Sequence, residues 1–267
     1  MVGLEGGAAV AATIIPGAGV VGTVMMRAGF GAIGLVPLGR PRLRSLDRRG
    51  VRLVIAVGTL LAAHHLLFYT AVHRLPLGIA VTCEFIGPLT VALAGSKRRI
   101  DLLWALLAGG GVAAAAGITG SGPISAIGIG CGLGAGACWA GYIIVFPRLA
   151  SGQGRSSGLT LATGWAALVV VPLWLATGPG RIFTPRILLL GAVVALLSDV
   201  ISYSLQSEAL RRLPGALFSI LTSTEPAVGA LFGLVALGQR ISLVQWGGML
   251  AVVAASIGAT VSRPSGR

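Results

Sequence analysis

Apolar residues arrive along this chain in long blocks, with polar positions collected in short gaps between them. The gaps fall near 39–50, 73–77, 95–101, 120–125, 147–158, 177–186, 206–215 and 238–242. The blocks cover 20–38, 51–72, 78–94, 102–119, 126–146, 159–176, 187–206, 216–237 and 243–261. Each is close to the twenty or so residues that a helix needs to cross about 30 Å of hydrocarbon. A further block, Gly6 to Ile15, stands ahead of them and is cut by Pro16. It is too short to cross unaided, so the first helix is expected to be short or incomplete. No basic run precedes it, so a cleaved signal peptide is not expected. The pattern predicts an all-α integral membrane protein of about ten transmembrane helices, with no soluble domain.

One stretch of the chain is a copy of another. Residues 71–95 align without a gap to 209–233, with eight of 25 positions identical, among them Pro76/Pro214, Pro88/Pro226 and Gly95/Gly233. Each copy is a short basic turn followed by an apolar helix interrupted by proline, so helix breaks are expected at Pro88 and Pro226. The chain divides into two units, 1–118 and 126–261. Five helices per unit is an odd number, so the second unit enters the membrane with the opposite orientation. Inverted repeats with proline-interrupted helices at matching places mark transporters that open to either side around a midplane site.

Composition agrees. Mean hydropathy is +0.92 and 10% of residues are charged, against about 25% in soluble domains. The net charge of +13 raises the question of nucleic acid, and its distribution answers it. With gaps assigned alternately to two sides, 15 basic residues, from Arg40, Arg48 and Lys97 to Arg211, Arg212 and Arg267, fall on one side. Four (Arg74, Arg181, Arg186 and Arg240) fall on the other. That bias is the positive-inside signature, so the basic side and the C-terminus are expected in the cytoplasm, and no nucleic acid partner is expected.

Ionisable residues inside the apolar blocks are the candidate site. Arg27, Glu84, Asp199 and Glu225 stand there, and each charge at the bilayer centre costs about 2.5–3.5 kcal/mol on insertion scales. Some must pair, and Arg27 with Glu84 or Glu225 is the expected match. Pro88 also frees the backbone carbonyl of Glu84, four residues earlier, leaving an acceptor-rich spot for an ammonium or a proton. Tyr69, Trp139, Tyr142 and Tyr203 lie in flanking blocks, as cavity walls or as interface anchors. His64-His65 lacks metal-ligand spacing, and a hydrogen-bonding or pH-sensing role fits it better. Cys83, Cys131 and Cys138 are odd in number and form no CxxC, so neither metal nor disulfide is expected. Gly128, Gly132 and Gly136 repeat every four residues, as a surface for close helix packing does. The run lacks the Lys-Ser/Thr of a phosphate loop, and no catalytic cluster or cofactor motif is present.

Several segments resemble EamA-type permeases of the drug/metabolite transporter superfamily, nearest the threonine/homoserine exporter branch. They are Phe68 to Ala80 (FYTAVHRLPLGIA), Glu84 to Leu89 (EFIGPL), Gly134 to Tyr142 (GAGACWAGY), Ala209 to Pro214 (ALRRLP) and Glu225 to Ala227 (EPA). The resemblance implies ten helices in the bacterial inner membrane, cytoplasmic termini and export of small metabolites. Where that family usually carries Pro-Tyr-Ser-Leu-Glu, this chain has Ser202-Tyr-Ser-Leu-Gln206, with Glu208 two residues on.

Together these readings point to a secondary exporter of amino acids such as threonine or homoserine, working by alternating access, and not to an enzyme. The expected partners are a small-molecule substrate, the lipid bilayer, protons as candidate co-ions and a second copy as a candidate homodimer. Export of drugs or other metabolites is the alternative within transport. A non-transporting scaffold or lipid-handling protein is the alternative outside it.

Overall fold

The computed structural model describes residues 1–41, 46–94, 99–115, 125–178, 182–213 and 215–262. Arg42, Arg44, Gly95, Lys97, Arg98, Arg181, Pro214, Arg263 and Arg267, on which part of the charge count and of the repeat alignment rests, lie outside them. Every regular element among the described residues is helical. In chain order they are α1 (Val2–Gly39), α2 (Arg48–Arg74), α3 (Leu77–Leu93), α4 (Arg99–Ala115), α5 (Ala126–Gln153), α6 (Arg155–Thr177), α7 (Pro185–Ala195), α8 (Ser202–Arg212), α9 (Gly215–Thr222), α10 (Glu225–Leu237) and α11 (Leu243–Val261). A π-helical segment, Leu196–Ile201, joins α7 to α8. Among the described residues, seven helical stretches are long and apolar enough to cross a membrane, and Leu77–Leu93 and Ile100–Ala115 are shorter apolar helices. The chain is a multi-pass membrane protein.

The first helix departs from expectation. It spans 38 residues, yet it does not run straight. Gly19 leaves helical geometry at φ 71°, ψ 165°, a conformation that glycine adopts without a Cβ penalty. A β-carbon on Gly7 would stand 2.1 Å from Ser198 Oγ, and one on Gly31 would stand 2.8 Å from Asp199 Oδ2. In a straight helix those two glycines would be about 36 Å apart. Gly3, Gly7 and Gly17 meet Ser202, Ser198 and Ile187 in turn, running antiparallel to α7–α8. Gly22, Gly31 and Gly34 meet Ile182, Asp199 and Val200, running parallel to them. Two arms, 2–18 and 20–39, therefore fold back on each other at Gly19. The turn comes three residues after Pro16, and the first arm begins before Gly6, so it is longer than the sequence pattern suggests.

Other boundaries shift for local reasons. The gap expected at 147–158 shrinks to Gly154, at φ 80°, because α5 continues through Pro147 to Gln153. Asp47 caps α2 by accepting from Gly50 N at 2.6 Å, and Ser242 and Gln245 form a capping box on α11. The two proline helices differ. α3 passes through Pro88 as one helix, where an interruption was expected. In the second copy the helix is broken between α9 and α10, with Glu225 and Pro226 opening α10. Pro88 removes one backbone donor, and the carbonyl of Glu84 that it frees faces the backbone of Gly136.

Glycines set the helix spacing around that point. A β-carbon on Gly132 would lie 2.7 Å from Cys83 Cβ, and one on Gly87 would lie 1.8 Å from the Gly136 carbonyl oxygen. Gly128, Gly132 and Gly136 are thus the face on which α5 packs against α3 and the turn before it. The larger apolar core, including Ile14, Val24, Val72, Leu77 and Ile79, gathers at the α2–α3 turn end of the bundle. A second cluster, with Leu35, Val57, Leu149 and Leu159, sits toward the α5–α6 turn. The polar interior lies between them.

Candidate substrate chamber

A cavity of about 150 Å³ opens where both arms of α1, helices α2, α3, α5 and α6 and the π-helical segment converge. A water's share of liquid volume is about 30 Å³, so the chamber has room for about five waters. Helical spacing explains the wall. Leu61, His64, His65 and Phe68 share one face of α2, Trp139 and Tyr142 stand three apart on α5, and Leu159 and Thr163 stand four apart on α6. The π turn widens its helix by one residue and presents adjacent Ser198 and Asp199 to the space. Tyr203 and Gln206 continue that wall.

Two polar pairs cross the chamber. Arg27 donates from Nη2 to Asp199 Oδ1 at 3.0 Å and from Nε to both carboxylate oxygens at 3.3 Å. Its Nη1 donates to Tyr69 Oη at 3.1 Å, and its guanidinium carbon lies 5.7 Å from the Tyr69 ring centre. The second pair is His64 Nε2 with Glu84 Oε1. His64 stands edge-on to Trp139 at 5.6 Å between ring centres and parallel to Phe68 at 6.1 Å. Both pairs are largely withdrawn from solvent, which strengthens each charge-assisted contact.

The expected partner of Arg27 was Glu84 or Glu225; it is Asp199. The hairpin at Gly19 is the reason, since it lays the second arm of α1 along the π turn. Six candidates line the chamber: Arg27, Glu84, Trp139, Tyr142, Asp199 and Tyr203. Tyr69 is fully buried behind the wall and acts on it through Arg27. Glu225 is not a lining residue. It is buried at the start of α10, within electrostatic reach of Glu84. Sequence reasoning missed Glu5, Thr163 and Ser198 as lining residues. Glu5 is the only acid in the first arm, and the logic that selected Glu84 selects it once the arm is seen to begin before Gly6.

A ring of membrane helices around a chamber that holds an arginine, acids and aromatic walls defines a carrier for small polar molecules. The comparisons with known proteins make the class specific. Residues 126–261 match the EamA-like transporter family. The threonine/homoserine exporter RhtA of Escherichia coli (strain K12) is 34% identical over 264 residues, covering 98% of this chain and 89% of that protein. RhtA of Salmonella typhimurium (strain LT2) is 35% identical over the same shares. A solved crystal structure, 18% identical, superposes with a TM-score of 0.63 over 97% of this chain and 95% of its own, a likeness of fold alone. The chain belongs to the EamA-like transporter family.

Proposed function

We propose that this protein exports amino acids such as threonine or homoserine across the bacterial inner membrane, by alternating access of two inverted five-helix halves, 1–118 and 126–261, with its C-terminus in the cytoplasm. The two arms of α1 count as two of the ten helices. The observation that carries the reading is the Arg27–Asp199 pair placed beside the Glu84–His64 pair in a chamber of amino-acid size.

A free amino acid brings one carboxylate and one ammonium. Its carboxylate can take the fork of Arg27 in place of Asp199, and Tyr69 holds the guanidinium in plane while the exchange occurs. Asp199, released, and Glu84 are the acceptors for the ammonium. Phe68, Trp139, Tyr142 and Tyr203 leave a small space for the side chain, suited to a short hydroxylated one. The names of the exporter relatives support this substrate class. The lining reaches Leu159 and Gln206, close in sequence to Arg155 and Arg212 on the basic side. The conformer is accordingly the one that loads from the cytoplasm. Release needs the tight contact of α3 with α10, where Gly78 packs on Ala230 and Gln239 accepts from Leu77 N at 2.9 Å, to part. A substrate that satisfies the chamber's charges lowers the cost of that switch, which ties binding to reorientation. Protons are the candidate co-ion.

The test is export from cells lacking their own threonine and homoserine exporters, fed a threonine dipeptide. Expression of this chain should raise extracellular threonine. Unchanged release of threonine and homoserine, with the protein present in the membrane, would defeat the proposal.

A further inference from the structure

Two buried acids near the chamber, Glu5 and Glu225, stand outside the two pairs. Arg27 is engaged by Asp199 and Tyr69, and His64 by Glu84. Glu5 and Glu225 are each 2% exposed, and no ion pair with either occurs among the described residues. Glu5 comes from the first arm of α1 and lines the chamber, yet its Oε2 is buried with no hydrogen-bond partner. That oxygen lies against α10, where a β-carbon on Gly229 would stand 3.0 Å from it. Gly229 is one turn beyond Glu225 on the same face of that helix. Glu5 is within electrostatic reach of both Glu225 and Glu84.

The other titratable groups around it do not neutralise it. The second arm offers Arg27, α2 offers His64, His65 and Tyr69, α3 offers Glu84, the π turn offers Asp199 and α10 offers Glu225, with the Met1 amine at the arm's own end. Among the described residues that line the chamber, Arg27 is the one permanent cation, and it is already matched by Asp199. A zwitterionic substrate adds no net charge. A carboxylate charge left unmatched at membrane depth costs about 2.5–3.5 kcal/mol, and two acids sharing a site cannot both ionise cheaply. A bound proton removes that cost and turns an acceptor-only group into an O–H donor.

We propose that Glu5, backed by Glu225, is a reversible proton site, filled from the outer face and emptied to the cytoplasm, so that one proton enters for each amino acid exported. This deepens the exporter reading above and rests on it. Loss of the proton to cytoplasmic water makes the chamber more negative and favours entry of an ammonium group beside Glu84. After release outside, a proton returns to Glu5 and the neutralised chamber turns back. Proton and substrate thus favour opposite charge states of one acid, which couples them without contact between them.

The experiment uses the full chain in liposomes, with a pH-sensitive dye inside and labelled L-threonine. An imposed pH gradient of one unit, about 1.4 kcal/mol, should sustain about a tenfold threonine gradient with the membrane potential clamped. Net threonine transport without proton movement in the unmodified protein overturns the proposal while leaving the exporter reading standing. Absence of any threonine exchange removes the exporter reading and this one with it. Glu5→Gln should still exchange threonine for threonine but lose proton-linked net transport, and full coupling of net transport in that variant overturns the assignment to Glu5. Where Glu5→Gln does not fold, Glu5→Asp keeps a carboxyl one methylene shorter and should move the pH midpoint of exchange. An unmoved midpoint in a folded Glu5→Asp protein overturns the assignment as well.

Discussion

Removing Arg27 should do two separable things. Arg27 and Asp199 form a buried pair, with side-chain exposures of 6% and 13%. Truncating one partner of such a pair typically costs about 3–5 kcal/mol, because the other charge is left buried and alone. Arg27→Ala is therefore expected to lose about that much stability. The double variant Arg27→Ala/Asp199→Asn removes the orphaned charge and should recover most of the loss. Transport should not recover with it. The substrate carboxylate loses its charge-assisted contacts, each worth about 1.5–3 kcal/mol, so apparent threonine affinity should fall roughly tenfold to a few hundredfold in both variants. Thermal unfolding in detergent reads the first effect, and exchange of labelled L-threonine in liposomes reads the second. A double variant that is stable and exchanges threonine at the native rate would refute the role given to Arg27. A stable single variant would refute the structural pairing.

Other positions give independent checks. Glu84→Gln should impair threonine exchange while leaving membrane insertion and expression intact, and exchange at the native rate would remove Glu84 from the site. Gly87→Ala places a β-carbon 1.8 Å from the Gly136 carbonyl oxygen; overpacking of this kind costs about 1–3 kcal/mol or more, so a lower unfolding temperature is expected, and an unchanged one would contradict the α3–α5 crossing. Gly19→Ala forces a side chain into φ 71°, at a cost of about 1–2 kcal/mol, with nothing nearby to clash, and proteolysis or unfolding measurements on the variant test the hairpin. A reporter fused after Arg267 should be active only in its cytoplasmic form if the charge asymmetry sets the topology.

The membrane blocks were legible because hydropathy reports the local environment of each helix. Positions 51–72, 126–146 and 243–261 fall within α2, α5 and α11. The packing glycines of α5 were legible too, since a four-residue spacing of glycine has one physical use between helices. Pairing was not legible. Whether Arg27 meets Asp199 or Glu84 depends on the reversal at Gly19 and on the π turn at 196–201, and neither leaves a periodic signal. Glu5 was hidden by the same reversal. With the first helix placed at Gly6–Ile15, its one acid fell outside the membrane. The two prolines were only half informative. Pro226 stands at the start of α10 beside Glu225, but Pro88 remains within a continuous helix.

The most direct test of the central claim is efflux of labelled L-threonine from liposomes containing the purified protein, compared with L-homoserine and with threonine amide, which lacks the carboxylate. The account predicts saturable efflux of both amino acids and little or none of the amide, because Arg27 requires a carboxylate. Equal movement of the amide, or no movement of either amino acid, would contradict it.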